Sequence, residues 1–218
     1  MIYIIQNCTN KKTIGSDYPQ CISLIKNYDV TEFNSITNFS SYKGKKVAFI
    51  PNLDGLKLDL KAKLTDFISC GLGPGNDSII SHNFFKILEK SVTSSFQQFN
   101  CSLYQNDEAM EYVWLHYIYT LENKVDFAKS EFTHVDISLQ SHLQKISSYN
   151  DFEYFYNTYD EYGLIRAKKT ILKSPPLDFF VIGRFNQKHY VSERLKNEME
   201  CIGITGIEFE EADDMIFI

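Results

Sequence analysis

The sequence predicts an α+β fold: two related strand–turn–strand–helix units packed as one compact protein with antiparallel sheet. Three observations carry this. Residues 177–211, LDFFVIGRFNQKHYVSERLKNEMECIGITGIEFEE, punctuate themselves in full as strand, turn, strand, capped helix, strand. Residues 65–90, TDFISCGLGPGNDSIISHNFFKILEK, repeat that order. Elsewhere, short aromatic and β-branched runs alternate with helical patterns without the regular period of a βαβ protein.

In the second unit, Asp178, Phe179, Phe180, Val181 and Ile182 have the composition of a buried strand ending at Gly183, and the polar residues 184–189 form a turn. Tyr190 and Val191 re-enter as a strand. Ser192 stands at the N-cap position, with Glu193 in the first turn, where a carboxylate meets the positive end of the helix. Leu195, Met199 and Ile202 follow at steps of four and three, so the spacing predicts one buried face. Gly203 stops the helix, because glycine adopts the left-handed cap at little cost. Ile207 and Phe209 then share a strand face, with Gly206 before them. In the first unit, Asp66, Phe67 and Gly71 fall on Asp178, Phe179 and Gly183 at an offset of 112 (178 − 66). Ser81 and Glu89 fall on Ser192 and Glu200 at 111 (192 − 81). Ser81 is thus expected to cap a helix that buries Phe84 and Leu88. Duplication of a half-domain fits this, and so does the same local physics acting twice.

The remaining elements are read in chain order. Residues 1–5 read as a strand. A basic turn, SYKGKK, delivers a strand at 47–50 that Pro51 ends, and 52–55 form a turn. The glycines of the 71–77 linker lack a Gly-Lys-Ser/Thr end and the Gly-x-Gly-x-x-Gly spacing, so a hairpin turn is expected rather than a phosphate loop. Residues 96–104 read as a strand, and the β-branched and aromatic content of 111–121 favours a strand there too, though Tyr112, Leu115 and Tyr119 also align on a helix; Trp114 is expected in the core, 125–132 as loop and 135–139 as a strand. Pro175 and Pro176 break the chain before the second unit. The organisation is a single protein over 1–218, with lobes expected over about 1–100 and 101–218.

The chain has 218 residues, 44% of them hydrophobic, enough for a sizeable core. No apolar run reaches the ~20 residues of a membrane span, and residues 1–12 lack the features of a secretion signal. A cytoplasmic location, with no membrane partner, is the expectation. The five cysteines are odd in number and scattered, so reduced, mostly buried thiols are expected. No His or Cys spacing fits a metal site, His134 and His142 included, and no cofactor motif occurs. Neither a Gly-x-Ser-x-Gly elbow nor a His-Glu-x-x-His is present. Ser192 beside His189 reads as a helix cap, not a nucleophile, and Asp213 with Asp214 reads as a solvated pair. A non-enzymatic protein is expected.

The net charge of −6 is uneven. Residues 1–63 carry nine lysines against five acids, and residues 64–218 carry 13 bases against 23 acids, a net of −10. An acidic body of this kind repels nucleic acid and attracts basic partners. Two stretches read as partner surface. Residues 149–162, YNDFEYFYNTYDEY, offer Asp151, Glu153, Tyr154, Tyr156, Asp160, Glu161 and Tyr162, in which tyrosines supply area and hydroxyls among carboxylates. An amphipathic surface helix explains the same pattern. Residues 208–214, EFEEADD, hold five acids, with Glu210, Glu211, Asp213 and Asp214 as candidates; a solvated terminus is the plain alternative.

The segment YVSERLKNEMECIGITGIEFEEA resembles the C-terminal signature of the immunity eleven family of bacterial polymorphic-toxin systems. The likeness rests on Val191, Ser192, Glu193, Arg194, Leu195 and Lys196, then Gly203, Ile204, Thr205, Gly206 and Phe209. DFFVIGRF before it resembles the family's strand. Residues 125–132, VDFAKSEF, resemble a further stretch of it, with Ala128 where the pattern has an acid. The resemblance spans about 100–212 and implies a cytosolic antidote that binds one toxin, delivered by a contact-dependent or type VI route. The partner implied is a cognate toxin with a basic working surface. The alternative is an enzyme that reverses a toxin's modification of its target, which requires a pocket of convergent polar groups.

Overall fold

Ser81 and Ser192 both start helices. Each has extended backbone angles (φ −66°, ψ 157° and φ −69°, ψ 154°), and each hydroxyl accepts a hydrogen bond from the amide three residues on, Phe84 or Leu195. Gly203 closes the second helix in the left-handed conformation, φ 80°. The structure, a computed structural model, describes residues 1–72, 76–136, 138–159 and 163–218. The middle of the 71–77 linker, and with it the hairpin-turn expectation there, lies outside the described residues.

The first half of the chain runs β1 (Ile2–Asn7), α1 (Lys11–Ile14), β2 (Cys21–Leu24), α2 (Ile36–Phe39), β3 (Asp54–Leu58), β4 (Phe67–Ile68), β5 (Ser78–Ile80), α3 (His82–Leu88), β6 (Phe96–Gln105) and β7 (Glu108–Tyr117). It continues with β8 (Glu131–Asp136), β9 (Ser141–Gln144), α4 (Tyr149–Tyr159), β10 (Gly163–Leu172), β11 (Phe179–Phe180), β12 (His189–Ser192), α5 (Glu193–Ile202), β13 (Ile207–Glu211) and β14 (Met215–Phe217). The fold class is α+β. Three sheets have the orders β2-β3-β6-β7-β5-β4, β11-β12-β1-β13 and β14-β10-β8-β9. Most pairs are antiparallel, as expected, but β3 with β6 and β10 with β14 are parallel, so two sheets are mixed.

The two units match strand for strand. In the first, β5 pairs with β7 and β7 with β6; in the second, β12 pairs with β1 and β1 with β13. The registers agree residue by residue: Ser78↔Leu115 answers His189↔Ile5, and Phe99↔Trp114 answers Glu210↔Ile4. The offsets are 111 (189 − 78 and 210 − 99) and −110 (5 − 115 and 4 − 114). The central strand of the second unit is therefore supplied by the chain's N-terminus. Ser78 and His189, equivalent by this count, touch: Oγ to Nε2 is 3.1 Å.

Each unit also clasps the other. The segment after α5 bonds to the first unit: the Thr205 amide donates to Asp66 Oδ2 at 2.9 Å, and the Phe67 amide to the Thr205 carbonyl at 3.1 Å. The segment after α3 does the same in return: the Val92 amide donates to Asp178 Oδ2 at 3.0 Å, and the Ser94 amide to the Phe179 carbonyl at 2.9 Å. Phe84 and Leu88 of α3 lie in one core cluster with Leu195 and Met199 of α5, joined by Phe67, Phe179 and Val191. A second cluster surrounds Trp114, and a third holds Phe152 of α4 against Phe127, Phe132 and Phe185.

Several expectations are corrected. The lobe boundary near residue 100 falls inside β6, and β1 belongs to the C-terminal sheet, so the chain does not divide there. No strand forms at 47–50. Val47 is buried, but its amide and carbonyl are met by the side-chain amide of Gln97, which stands in for a strand partner. Asp54 and Gly55 open β3 rather than closing a turn. The strand expected at 135–139 lies at Glu131–Asp136, so Glu131 and Phe132 leave the expected loop for it. Ile202 is 57% exposed, because the last turn of α5 runs into open space: a Cβ added at the neighbouring Gly203 would meet nothing within 4 Å.

Candidate partner-binding surface

The aromatic-acidic stretch forms α4, as its pattern predicts, with Phe152 fully buried. Ser148 caps it, accepting from the Asp151 amide at 3.0 Å, and the Asp151 carboxylate reaches back to accept from the Ser147 amide at 3.0 Å. That exchange is a variant of the capping box. It holds the Asp151 carboxyl below its ordinary range, the Ser147 amide being the main cause. Glu153 is engaged as well. Arg184, 31 residues on, lies between Glu153 and the buried Glu122, which it meets at 2.7 Å. Its guanidinium stacks 4.9 Å from the Phe152 ring and 4.7 Å from the Tyr156 ring. Burial works against the Glu153 charge, and Arg184 outweighs it, leaving the carboxyl below its ordinary value. Glu153 and Tyr156 thus fasten α4 to the turn after β11. Tyr154, 65% exposed, is the α4 candidate that points outward. Asp160, Glu161 and Tyr162 lie outside the described residues.

The second stretch is not a solvated tail. Residues 207–211 are β13, and after a two-residue turn β14 runs parallel to β10, with Met215 buried. Asp213 and Asp214 occupy that turn and are not a free pair. Asp214 ion-pairs with Lys188 at 2.6 Å and receives the Tyr190 hydroxyl at 3.4 Å. Glu208, Glu210, Glu211 and Asp213 are exposed. Glu210 accepts from the Gln6 side-chain amide, and none of the four is ion-paired among the described residues. Since β13 is the last strand of its sheet, Glu208, Glu210 and Glu211 line an open edge, with Asp213 in the turn just past it.

Of the structural candidates, Ser81, Ser192 and Gly203 act as helix caps, as above. Gly206 is required by close approach: its φ is 86°, and a Cβ there would sit 2.2 Å from the Phe67 carbonyl oxygen. This is where the two units meet.

A buried polar chain around Asp77 has no counterpart in any sequence motif. Asp77 Oδ2 accepts from Trp114 Nε1 at 2.7 Å and lies 2.8 Å from His116 Nδ1; His116 Nε2 lies 2.7 Å from the Lys45 carbonyl. Burial disfavours charge on His116, but acceptors at both nitrogens outweigh it and raise its pKa. Burial pushes the Asp77 carboxyl up as well, against the pull of His116 and Trp114. The Lys45 carbonyl requires a hydrogen on His116 Nε2, and Nδ1 shares its own contact with Asp77 Oδ2. An enclosed cavity of about 100 Å³ nearby is lined by Asp77, His189, Asn7 and Cys70. The Asp77 carboxylate there is already committed to His116 and Trp114. No group of three His, Cys, Asp or Glu side chains suited to a metal occurs among the described residues. His134 and His142 face each other across β8 and β9, with His142 Nε2 3.1 Å from Asp136. No described helix is long and apolar enough to cross a membrane.

No protein-family model matches the chain, and no curated protein matches it.

Proposed function

We propose that the protein is an immunity protein: it binds a cognate bacterial toxin in the cytoplasm and neutralises it by non-covalent occlusion of the toxin's working surface. The observation that carries this reading is the open edge of β13. Glu208, Glu210 and Glu211 there, and Asp213 in the turn just past it, stand exposed with no ion pair among the described residues, whereas Asp151 and Glu153 of α4 are taken up by capping and by Arg184. The net charge of −10 over 64–218 adds a long-range attraction for a basic surface. A toxin that attacks nucleic acid carries such a surface, and carboxylates can occupy it in place of phosphate.

The test begins with a toxin encoded beside this protein. Purified protein should protect at one-to-one stoichiometry, whereas an enzyme reversing the toxin's modification would protect at sub-stoichiometric amounts. Reversing Glu208, Glu210 and Glu211 to Lys should slow association and flatten its salt dependence, since rim charge acts mainly on the on-rate. A folded triple variant that associates and inhibits as the parent does would sink the acidic-surface reading.

A further inference from the structure

The edge of β13 offers more than charge. The Gly206 carbonyl accepts from the Cys8 amide and the Ala212 amide donates to the Ile2 carbonyl, both at 3.0 Å, so residues 206 and 212 face β1. Backbone groups alternate along an antiparallel strand. Ile207, Phe209 and Glu211 therefore turn their N–H and C=O groups outward, and β1 is the only strand paired with β13 among the described residues. We infer that this edge receives a strand of the partner, a basic extended segment that continues the sheet by backbone hydrogen bonds. The partner's identity as a toxin rests on the immunity reading; the mode of docking rests on the edge.

Two observations select the occupant. Charged residues on an edge normally blunt strand addition. Here the charge has one sign, with Glu208 and Glu210 on one face and Glu211 on the other. A second copy of this chain would set glutamates against glutamates, which is unfavourable across strands, whereas lysine or arginine opposite them is favourable. The fold also supplies a precedent. β6 is equivalent to β13 at an offset of 111 (207 − 96), which matches residues 96–100 to 207–211; just beyond them, from Ser102 onward, the same side of β6 takes β3 in parallel, and the Ser102 amide donates to the Leu53 carbonyl at 3.2 Å.

The probe is an eight-residue peptide of alternating lysine and valine, with an N-methylated copy that lacks alternate amide donors and a glutamate–valine copy of opposite charge. The lysine peptide should bind at low salt and slow amide exchange at Ile207, Phe209 and Glu211. N-methylation should weaken it at least about tenfold, the worth of one or two lost hydrogen bonds. The glutamate peptide should not bind. Glu211→Gln should lose only the charge contribution, and Glu211→Pro should lose further affinity. That proline removes an outward N–H and no ladder bond, so the fold should hold. Failure of the lysine peptide to bind, or binding with unchanged exchange and full tolerance of N-methylation, would overturn strand addition. If toxin association still responds to charge reversal while the edge amides stay unprotected, strand addition fails and the immunity reading stands.

Discussion

Asp66 and Asp178, 112 residues apart (178 − 66), make the same bonds. Each carboxylate accepts the hydroxyl of its own unit's N-cap serine, Ser81 at 2.6 Å and Ser192 at 2.8 Å. Each also accepts an amide from the segment that follows the other unit's helix, Thr205 at 2.9 Å and Val92 at 3.0 Å. One side chain thus orients a cap and ties two units together.

The caps should be measurable as stability. Ser192→Ala should cost roughly 0.5–2 kcal/mol in urea unfolding. Arg194 beside Asp178, at 2.7 Å, holds that carboxyl below its ordinary range. A depressed folded pKa contributes stability above the unfolded value, about 3.9, which is lost as the pH falls through the folded value. The stability gap between the parent and Asp178→Asn should therefore be constant from pH 7 to about pH 4 and narrow below it. A gap independent of pH down to the acid transition would contradict this.

Two residues on the predicted face of α5 should behave oppositely. Met199, fully buried, should cost about 2–5 kcal/mol when changed to Ala. Ile202→Ala should be within about 0.5 kcal/mol of neutral, as exposed substitutions are. Equal losses at both positions would show that the last turn of α5 is packed in solution.

His189 should make the protein acid-sensitive. Burial pushes its imidazole down to about pKa 4, against the Asn76 carbonyl 2.9 Å away. The unfolded chain takes up that proton near pH 6.5, so this contribution is present above pH 6.5 and lost as the pH falls towards 4. Urea titrations of parent and His189→Gln across that window should show a shallower slope in the variant. Parallel slopes would mean the imidazole is already accessible to protons in the fold.

The thiols should separate by burial. A thiol reagent should reach exposed Cys201 first, with Cys8, Cys21 and Cys101 reacting only on unfolding and five thiols in total after denaturation. Rapid native reaction of Cys21, fully buried beside Cys70 across a β-bridge, would place that core in doubt.

Features set within a few residues of chain were legible before folding was considered. Ser81, Ser192 and Gly203 cap helices because a cap bond spans three or four positions. Phe84, Leu88, Leu195 and Met199 are buried because helical spacing puts them on one face. The offset of 112 between Asp66 and Asp178 was visible, but their shared role was not, since each bonds to a segment far away in the chain. The partners of β1, the loss of a strand at 47–50 to the Gln97 side chain, and the engagement of Glu153 by Arg184 emerged from packing alone. Those outcomes depend on which surfaces meet, and a local pattern carries no record of a partner 31 or 200 residues away. The same holds for the acids of residues 208–214: composition counted them, and only sheet order showed that they border an unpaired strand.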